Sequence, residues 1–487
     1  MTRRTKIVAT LGPGTDDPKI MRAILQAGVD VVRINFSHGS AGDHGKRVKA
    51  ARAAAAELGK SVGVLGDLQG PKIRIDRFRN GPIDLKEGQS FTLDAELGRD
   101  DGNEKQVGLT YKDLPQDVSK GDILLLDDGA ISLEVMAVEG SAIRCRVQQG
   151  GRLSNNKGIN RKGGGLSAAA LTEKDFEDIV LAAKLDVDYL AVSFPRDADD
   201  VEEARRRFEK EGGVGGIVAK IERAEAIDNL ENILAVSDAV MVARGDLGVE
   251  IGDEELPAVQ KQIIHAARES HKVVITATQM MESMITSPVP TRAEVMDVAN
   301  AMMDGTDAVM LSAETATGKY PVKVVEAMAR ICVGAEKQRA TMTSGHRLNA
   351  LFKRADEAIA MACMYTANHL PTRAIIALTE SGSSALWMSR ISSGIPIYAF
   401  TRHEKTRSRV TLYRGVYPVT FDVVSVERED VVDAAAQRLQ KAGKVRQGDV
   451  IIVTFGDFRG VSGGTNTMKI IRAGDTDLVD IAPEEAQ

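Results

Sequence analysis

The feature of this chain that most constrains its fold is a recurring unit, a short β-branched run followed by an amphipathic segment rich in Ala, Glu, Lys and Arg. This alternation predicts βα units on a parallel sheet. The unit recurs eight times, with runs at Lys6 to Leu11, Val29 to Ser37, Val62 to Asp67, Tyr189 to Pro195, Gly216 to Glu222, Ala239 to Asp246, Val273 to Gln279 and Ala308 to Glu314. Because both faces of the strands are apolar, we predict an α/β protein with a closed (β/α)8 barrel, or TIM barrel, rather than an open doubly wound sheet.

The alternation is interrupted once, between Pro71 and about Ser167, where period-two segments are separated by turn signals such as Asp127-Asp128-Gly129. We interpret this stretch as a small all-β domain, a β-barrel, inserted after the third barrel strand. An αβ pattern resumes from Leu351 and predicts a separate C-terminal α/β domain. The expected organisation is a barrel from residues 1–70 and 168–342, an inserted lid from residues 71–167 and a C-terminal domain from residues 343–487.

Composition argues against several classes of function. The chain has 487 residues and a formal net charge of -6, which supplies no electrostatic footprint for nucleic acid or anionic lipid. Its three cysteines, Cys145, Cys332 and Cys363, are far apart and form no CxxC pair, so neither a disulfide framework nor a zinc site is indicated. We find no signal-peptide pattern and no run approaching about 20 apolar residues. We therefore expect a cytoplasmic protein with no nucleic-acid or membrane partner.

Charged residues close two neighbouring runs, at the strand ends where a (β/α)8 barrel forms its active site. Lys220 and Glu222 end the fifth run on one face, and Asp246 follows Gly245 at the end of the sixth. Two carboxylates from adjacent strands suit Mg2+, which takes few protein ligands and keeps several waters. Lys220 would then face charge developing on a transferred phosphoryl group or an enolate. The alternative is a buried structural ion pair.

Polar residues end the other runs as well. The third run ends at Asp67, and a Gly-Pro pair then leads to Lys72 and Arg74, which would overhang the mouth of the barrel where a nucleotide phosphate could meet them. The second run ends with polar side chains that are ordinary strand-end residues unless they meet a ligand, an ion or water: Arg33, Asn35 and Ser37. Hydroxyls that could orient a water or a carboxylate end the last two runs: Thr276, Thr278 and Ser312.

The C-terminal domain carries a Gly/Ser/Thr loop between a predicted strand and a predicted helix. Such a loop can cradle an anion, because its amides and hydroxyls point at a phosphate while the helix dipole assists. The alternative is simple helix capping by Ser383 or Ser384. No GxxxxGK[ST] and no GxGxxG occurs, so neither a P-loop nor a Rossmann site is indicated.

Several long segments of the chain resemble the pyruvate kinase family. They are Arg33 to Gly39 (RINFSHG), Ala219 to Glu222 (AKIE), Met241 to Gly248 (MVARGDLG), Thr276 to Met284 (TATQMMESM) and Asp304 to Thr315 (DGTDAVMLSAET). They are spread along the chain in the order of the family. The resemblance implies transfer of the phosphoryl group of phosphoenolpyruvate to ADP, giving pyruvate and ATP, with Mg2+ or Mn2+ as cofactor.

The resemblance also implies a role for individual residues. Glu222 and Asp246 would bind the divalent ion, and Lys220 would stabilise the phosphoryl transition state and the enolate. The amides near Gly245 and Asp246, with Thr278, would hold the substrate carboxylate, and a water ordered by Thr278 and Ser312 would protonate enolpyruvate. Arg33 would contact the transferring phosphate. The nucleotide would meet Arg74, Lys157, Asn35 and His38.

One departure concerns the monovalent cation. Many family members bind K+ with side chains matching Asn35, Ser37 and Asp67, and carry Thr-Lys and Glu where this chain has Leu68-Gln69 and Lys72. The chain resembles the K+-independent branch, in which the ammonium of Lys72 would supply the positive charge that K+ supplies elsewhere. We therefore predict that K+ is not required.

The resemblance further implies allosteric regulation and a homotetramer. The C-terminal loop matches the effector site of the family and looks like that of the bacterial subgroup activated by AMP or sugar monophosphates. Its predicted effector residues are Thr379, Ser381, Gly382, Ser383 and Ser384. Two rival functions stay open: a phosphoenolpyruvate mutase or metal-dependent aldolase on a similar barrel, and a catalytically silent sugar-phosphate sensor.

Overall fold

A computed structural model of the chain describes residues 2–338, 341–342, 351–457, 460 and 463–474. Its strands are β1 (Lys6–Thr10), β2 (Val31–Asn35), β3 (Gly63–Asp67), β4 (Ile83–Leu85), β5 (Ser90–Asp94), β6 (Gln106–Gly108), β7 (Ile123–Leu126), β8 (Ile131–Glu139), β9 (Ala142–Gln149), β10 (Gly151–Leu153), β11 (Ile159–Arg161), β12 (Tyr189–Val192), β13 (Gly216–Ile221), β14 (Ala239–Ala243), β15 (Val273–Ala277), β16 (Ala308–Leu311), β17 (Thr372–Leu378), β18 (Ile397–Thr401), β19 (Val416–Thr420), β20 (Val450–Gly456) and β21 (Thr465–Arg472). Its helices are α1 (Pro18–Ala27), α2 (Ala41–Glu57), α3 (Leu114–Asp117), α4 (Glu173–Lys184), α5 (Ala198–Lys210), α6 (Ala224–Asp228), α7 (Leu230–Val236), α8 (Arg244–Ile251), α9 (Leu256–Glu269), α10 (Arg292–Asp304), α11 (Ala313–Ala316), α12 (Pro321–Ala335), α13 (Ala355–His369), α14 (Ser383–Ser389), α15 (Glu404–Val410) and α16 (Val431–Lys441). Short 3-10 helices cover Pro13–Thr15 and Glu282–Ile285 in the described part of the chain.

Eight parallel strands close into a barrel in the order β1-β16-β15-β14-β13-β12-β3-β2. Each lies within one of the eight predicted runs, which confirms the predicted (β/α)8 barrel. Every residue of β1, β3 and β12 to β16 is buried, as expected for strands enclosed by helices outside and side chains inside. Because all eight strands run in one direction, their carboxyl ends meet at one rim. The register pairs Asn35 of β2 with Asp67 of β3 at that rim.

Side-chain caps fix where several of the outer helices begin. Capping boxes start α2 with Ser40 and Asp43, and α4 with Thr172 and Asp175. In each, the hydroxyl accepts the N3 amide proton while the carboxylate accepts from the cap residue, which satisfies two otherwise unpaired amides. These starts fix where the helices lie against the barrel and hence the loops between them.

The segment between β3 and β12 forms two sheets. One has six strands in the order β11-β7-β8-β9-β5-β6, and the other pairs β10 with β4. The predicted turn Asp127-Asp128-Gly129 joins β7 to β8 with all three residues in the left-handed region. The strands of the expected β-barrel are thus divided between two sheets, because a period-two pattern predicts the buried face of each strand but not which edges pair.

The C-terminal sheet has the order β19-β18-β17-β20-β21, in which β21 alone is antiparallel. With the helices around it, this sheet confirms the predicted α/β character of this part of the chain. The predicted limits of this domain, residues 343 and 487, lie outside the described residues.

A buried ion pair attaches this sheet to the floor of the barrel, opposite the rim. The guanidinium of Arg390, after α14, contacts both carboxylate oxygens of Asp307, directly before β16, and donates to the Lys272 carbonyl at 2.6 Å. Asp307 also accepts the Val274 amide at 2.9 Å. Arg390 and Asp307 are each 1% exposed, so the two parts of the chain share a desolvated contact.

Candidate active site

The carboxyl ends of the barrel strands bring together the charged residues singled out from the sequence. Lys220 lies on β13, Glu222 directly after it, and Asp67 ends β3. The Lys220 ammonium lies 2.9 Å from Glu222 Oε1 and 3.4 Å from Asp67 Oδ1. Burial would lower the pKa of Lys220, but the charges of Asp67 and Glu222 outweigh it and raise that pKa. Lys220 is therefore held as a cation at the rim.

Glu222 is a buried carboxylate held by two partners. Its Oε1 faces Lys220, and its Oε2 accepts the backbone amide of Phe194 at 2.9 Å. Burial raises the pKa of Glu222, and the negative charge of Asp246 adds to the rise. The two acids expected to share a divalent ion are thus close enough to repel each other.

Asp246 lies in the first turn of α8, which begins directly after β14. Its Oδ1 is 3.0 Å from the ammonium of Lys72, which comes from the segment leading to the inserted sheets. Each of the two acids therefore faces a lysine ammonium, so the site already accommodates positive charge beside both. This donor set of carboxylate oxygens fits Mg2+ or Mn2+. Among the described residues, no group of three or more His, Cys, Asp or Glu side chains could hold a metal ion.

Asp67 and Arg33 form a second buried pair at the rim. Arg33 Nε lies 2.6 Å from Asp67 Oδ2, and its Nη1 donates to Thr10 Oγ1 at 3.0 Å. Although burial opposes it, the charges of Arg33 and Lys220 hold the pKa of Asp67 below its usual range. Asp67 is therefore ionised and paired with two cations.

The residues predicted for a monovalent cation are only partly in contact with one another. Asn35 Oδ1 accepts the amide of Ser37 at 3.1 Å, and Asp67 pairs with Arg33 and Lys220. The ammonium of Lys72 pairs with Asp246 rather than with Asp67. The structure thus places Lys72 on an acid predicted to bind the divalent ion, not within the Asn35, Ser37 and Asp67 set.

Thr278 contacts Gly245 in the first turn of helix α8. The Thr278 Oγ1 accepts the Gly245 amide at 2.9 Å, and Thr278 lies in the left-handed region with a φ of 66°. The buried guanidinium of Arg244 supports the left-handed backbone at Thr278 by donating to the Thr278 carbonyl at 2.6 Å. The structure therefore joins two of the residues expected at the substrate carboxylate. Ser312 follows β16, and its amide donates to Glu314 Oε2 at 2.6 Å.

Three of the predicted nucleotide residues, Arg74, Lys157 and His38, lie outside the barrel strands. Arg74 pairs through its backbone with Gly158 and donates to the Asn156 carbonyl at 2.9 Å, so it lies beside Lys157. The Lys157 ammonium is 2.7 Å from Asp127. His38 is exposed in the loop after β2. No direct contact links Arg74, Lys157 or His38 to Lys220 in the described part of the chain.

The C-terminal loop does not use a serine as its helix cap. The cap of α14 is Gly382, with a φ of 88° and no side-chain cap hydrogen bond, and its amide donates to Thr379 Oγ1 at 2.9 Å. Ser381 and Ser383 contact each other through their hydroxyls at 3.0 Å. The buried hydroxyl of Ser384 has no hydrogen-bond partner among the described residues. Capping by Ser383 or Ser384 is therefore not what the structure shows.

Sequence reasoning missed two residues that contact the site, Ser193 and Arg244. Ser193 follows β12, and its hydroxyl accepts from the Lys220 ammonium at 2.6 Å. A polar residue closing the apolar fourth run was a signal of the same kind as those used for the other strands. Arg244 lies in the segment Met241 to Gly248, but its contacts with Thr278 depend on the left-handed backbone at Thr278, which no local sequence pattern predicts.

None of the helices that the structure describes combines the length and apolar character needed to cross a bilayer.

Comparison with known proteins assigns the family. The family model described as the pyruvate kinase barrel domain matches residues 2–325, and the model described as the pyruvate kinase alpha/beta domain matches residues 357–471. Pyruvate kinase II of Salmonella typhimurium is 56% identical over 96% of this chain and 98% of its own length. The pyruvate kinases of Haemophilus influenzae (53%, over 93% and 96%) and Mycobacterium tuberculosis (42%, over 98% and 100%) are similar along almost their whole lengths. With matches that span both the barrel and the C-terminal sheet, this chain belongs to the pyruvate kinase family.

Proposed function

We propose that the chain transfers the phosphoryl group of phosphoenolpyruvate to ADP at the barrel rim, giving pyruvate and ATP. The observation that carries this proposal is the Lys220 ammonium, held 2.9 Å from Glu222 and 3.4 Å from Asp67, with Asp246 on the neighbouring strand end. Phosphoryl transfer needs little covalent chemistry from the protein, and it depends on positioning and on neutralising charge. A buried lysine held as a cation between two carboxyl groups meets both needs.

Each residue near the substrate has a distinct task in this proposal. Lys220 stabilises charge on the phosphoryl group in flight and on the enolate oxygen that it leaves. Arg33, fixed by Asp67, faces the phosphate. The amides of Gly245 and Asp246, with the Thr278 hydroxyl, bind the substrate carboxylate. Thr278 and Ser312 orient the water that protonates the carbon of enolpyruvate, because these two residues follow the adjacent strands β15 and β16.

Glu222 and Asp246 would hold Mg2+ or Mn2+ in this proposal. The bound ion would act as a Lewis acid on phosphate and enolate oxygens. Arg74 and Lys157 would face the nucleotide phosphates from the inserted sheets, with Asn35 and His38 at the rim below them. The separation of these residues from Lys220 means that nucleotide binding requires the inserted sheets and the rim to act together.

A coupled assay for ADP-dependent pyruvate release in the presence of Mg2+ tests the proposal. A mutase or an aldolase would consume its substrate without ADP, and a silent sensor would bind sugar phosphate without releasing pyruvate. Pyruvate release that does not depend on ADP would therefore overturn the assignment of the reaction.

We also propose that turnover does not require K+. The ammonium of Lys72 supplies a fixed positive charge at the rim, although it does so beside Asp246. Replacing Lys72 by Glu should create a K+ requirement, because the new carboxylate adds negative charge that a monovalent cation would neutralise. We expect activity in sodium-free tetramethylammonium buffer to fall at least about 10-fold and to recover with K+.

The exposed Lys120 of the inserted segment offers a control, since Lys120→Glu makes the same charge change away from the rim. Its activity should stay independent of K+. A strict K+ requirement of the unmodified enzyme would contradict the proposal directly.

The C-terminal loop is the proposed site of a phosphorylated effector, AMP or a sugar monophosphate. A cavity of about 200 Å³ lies beside it, and its lining includes Thr379 and Ser383, the basic residues Arg428 and Lys469, and the acidic residues Glu380, Glu429 and Asp457. Basic side chains and hydroxyls in one cavity suit a phosphate. Of the other predicted residues, Gly382 contributes backbone geometry, because a Cβ added there would lie 2.8 Å from Val410 Cγ1.

Titration of AMP and of sugar monophosphates at subsaturating phosphoenolpyruvate tests this role. We expect at least one of them to lower the apparent KM for phosphoenolpyruvate, and Arg428→Ala to weaken that response. If no compound changed the apparent KM for phosphoenolpyruvate, the proposed regulatory role of the loop would be wrong.

We further propose a homotetramer. Helix α10 exposes two large apolar side chains, Met296 at 59% and Met303 at 45%, and Val289 before the helix is 64% exposed. Clustered apolar side chains on a surface favour burial against another chain. Sedimentation equilibrium should give four times the chain mass, and Met296→Glu with Met303→Glu should lower it. A monomeric parent would contradict the proposal.

A further inference from the structure

We propose that Ser193 is a positioning residue for the reaction, because its hydroxyl anchors the ammonium of Lys220. This inference rests on the proposed function of Lys220. Ser193 directly follows β12, is 1% exposed and belongs to none of the motifs that carried the family resemblance.

The hydrogen bonds of Ser193 fix the direction of its hydroxyl. The Oγ donates its one proton to the Leu68 carbonyl at 2.7 Å and therefore presents a lone pair to Lys220, whose ammonium donates to it at 2.6 Å. Leu68 follows Asp67 at the end of β3. The hydroxyl thus ties the lysine to the backbone of the neighbouring strand.

Counting the donors of Lys220 shows why this anchor matters. An ammonium has three protons, and three oxygens surround this one: Ser193 Oγ, Glu222 Oε1 and Asp67 Oδ1. Glu222 is assigned to a divalent ion, and Asp67 is shared with Arg33. Ser193 is the neutral partner with no other proposed task. When a proton of Lys220 turns toward substrate, Ser193 holds the ammonium in place.

The next residue performs the parallel task for Glu222 through its backbone. Phe194 has a φ of 55°, a conformation that a bulky residue adopts only where its surroundings enforce it. In this conformation its amide donates to Glu222 Oε2 at 2.9 Å. Side-chain changes at Ser193 should therefore disturb Lys220 while leaving the support of Glu222 in place.

Ser193→Ala is expected to lower kcat by about 10- to 100-fold, because a misplaced catalytic group costs rate rather than substrate affinity. The KM for phosphoenolpyruvate and the Kd for Mn2+ alone, measured by electron paramagnetic resonance without substrates, should change by less than about threefold. Ser193→Cys, with a weaker acceptor at the same position, should fall between Ser193→Ala and the parent. If the alanine variant does not fold, the cysteine variant carries the test.

Two comparisons separate positioning from a general loss of structure. Ser237→Ala removes a hydroxyl that is similarly buried, 2% exposed and bonded to the Ile233 carbonyl at 2.6 Å, and should leave kcat unchanged. In a Lys220→Met background, Ser193→Ala should change the residual rate less than about twofold, since it acts only through the lysine.

Three results would overturn the inference: a kcat of Ser193→Ala equal to that of the parent, a loss of Mn2+ affinity as large as the loss of rate, or a full additional loss in the Lys220→Met background. A parent that releases no pyruvate with ADP would overturn the proposed function instead. The two failures are therefore distinguishable.

Discussion

Replacing Lys220 by Met is expected to lower kcat by about 10³-fold or more, the size of effect seen when a cation that stabilises a phosphoryl transition state is removed. Met keeps the length and much of the volume of the side chain but cannot carry charge. Glu222, Asp67 and Ser193 would then face a thioether, and the charge on the transferring group would lose its nearest cation. Steady-state kinetics with a coupled pyruvate assay measures the loss.

Lys6 provides the matched control. It is also a buried lysine of the barrel, 2% exposed, but it lies on β1 near the floor, with its ammonium 2.5 Å from the Val416 carbonyl. Lys6→Met should reduce stability rather than kcat per folded molecule. If Lys220→Met turned over at the parent rate, the catalytic role proposed for the lysine would be wrong. The alternative function, a catalytically silent sugar-phosphate sensor, would then be favoured.

The second large effect is expected from Glu222→Gln, which should weaken Mn2+ binding by about 100-fold or more and reduce kcat/KM at least as much. Gln retains the shape of the side chain and an oxygen that can accept the Phe194 amide proton, so we expect the backbone at Phe194 to keep its conformation. What it removes is negative charge beside Lys220 and Asp246. Electron paramagnetic resonance of free Mn2+ reports the affinity.

A control is available four residues beyond Asp246. Glu250 is likewise buried and accepts the Ala224 amide at 3.0 Å, and burial raises its pKa to about 7. Glu250→Gln should therefore leave Mn2+ affinity near that of the parent. Unchanged Mn2+ binding by Glu222→Gln would place the divalent ion elsewhere.

The fold could be predicted in outline because the signals for it are local. Each barrel strand lies in an apolar run, polar residues follow several of these runs, and the closed parallel sheet requires both faces to be apolar. The edge strands β19 and β21 were not predicted. β19 contains Pro418, and β21 alternates polar and apolar residues irregularly, so neither carries the pattern of a buried strand.

The convergence of Lys220, Glu222 and Asp246 could also be predicted from the sequence, since the strand ends of a parallel barrel share one rim. The hydrogen-bond and ion-pair partners of these residues could not be predicted. Lys72 was expected over the mouth of the barrel, but its pairing with Asp246 was not predicted, and Phe194 reaches Glu222 only through a left-handed backbone. Such contacts depend on tertiary placement and on single dihedral angles, which residue identity alone does not determine.

Truncating the chain after α12 would strip Arg390 from Asp307 and leave an acid without its countercharge at the base of β16. A barrel produced in isolation would therefore be destabilised by the unpaired carboxylate of Asp307, however well its hydrophobic interior is packed. Asp307→Asn would retain an oxygen for the Val274 amide and remove the orphaned charge. Redesign of this barrel as a free-standing scaffold should begin at that position.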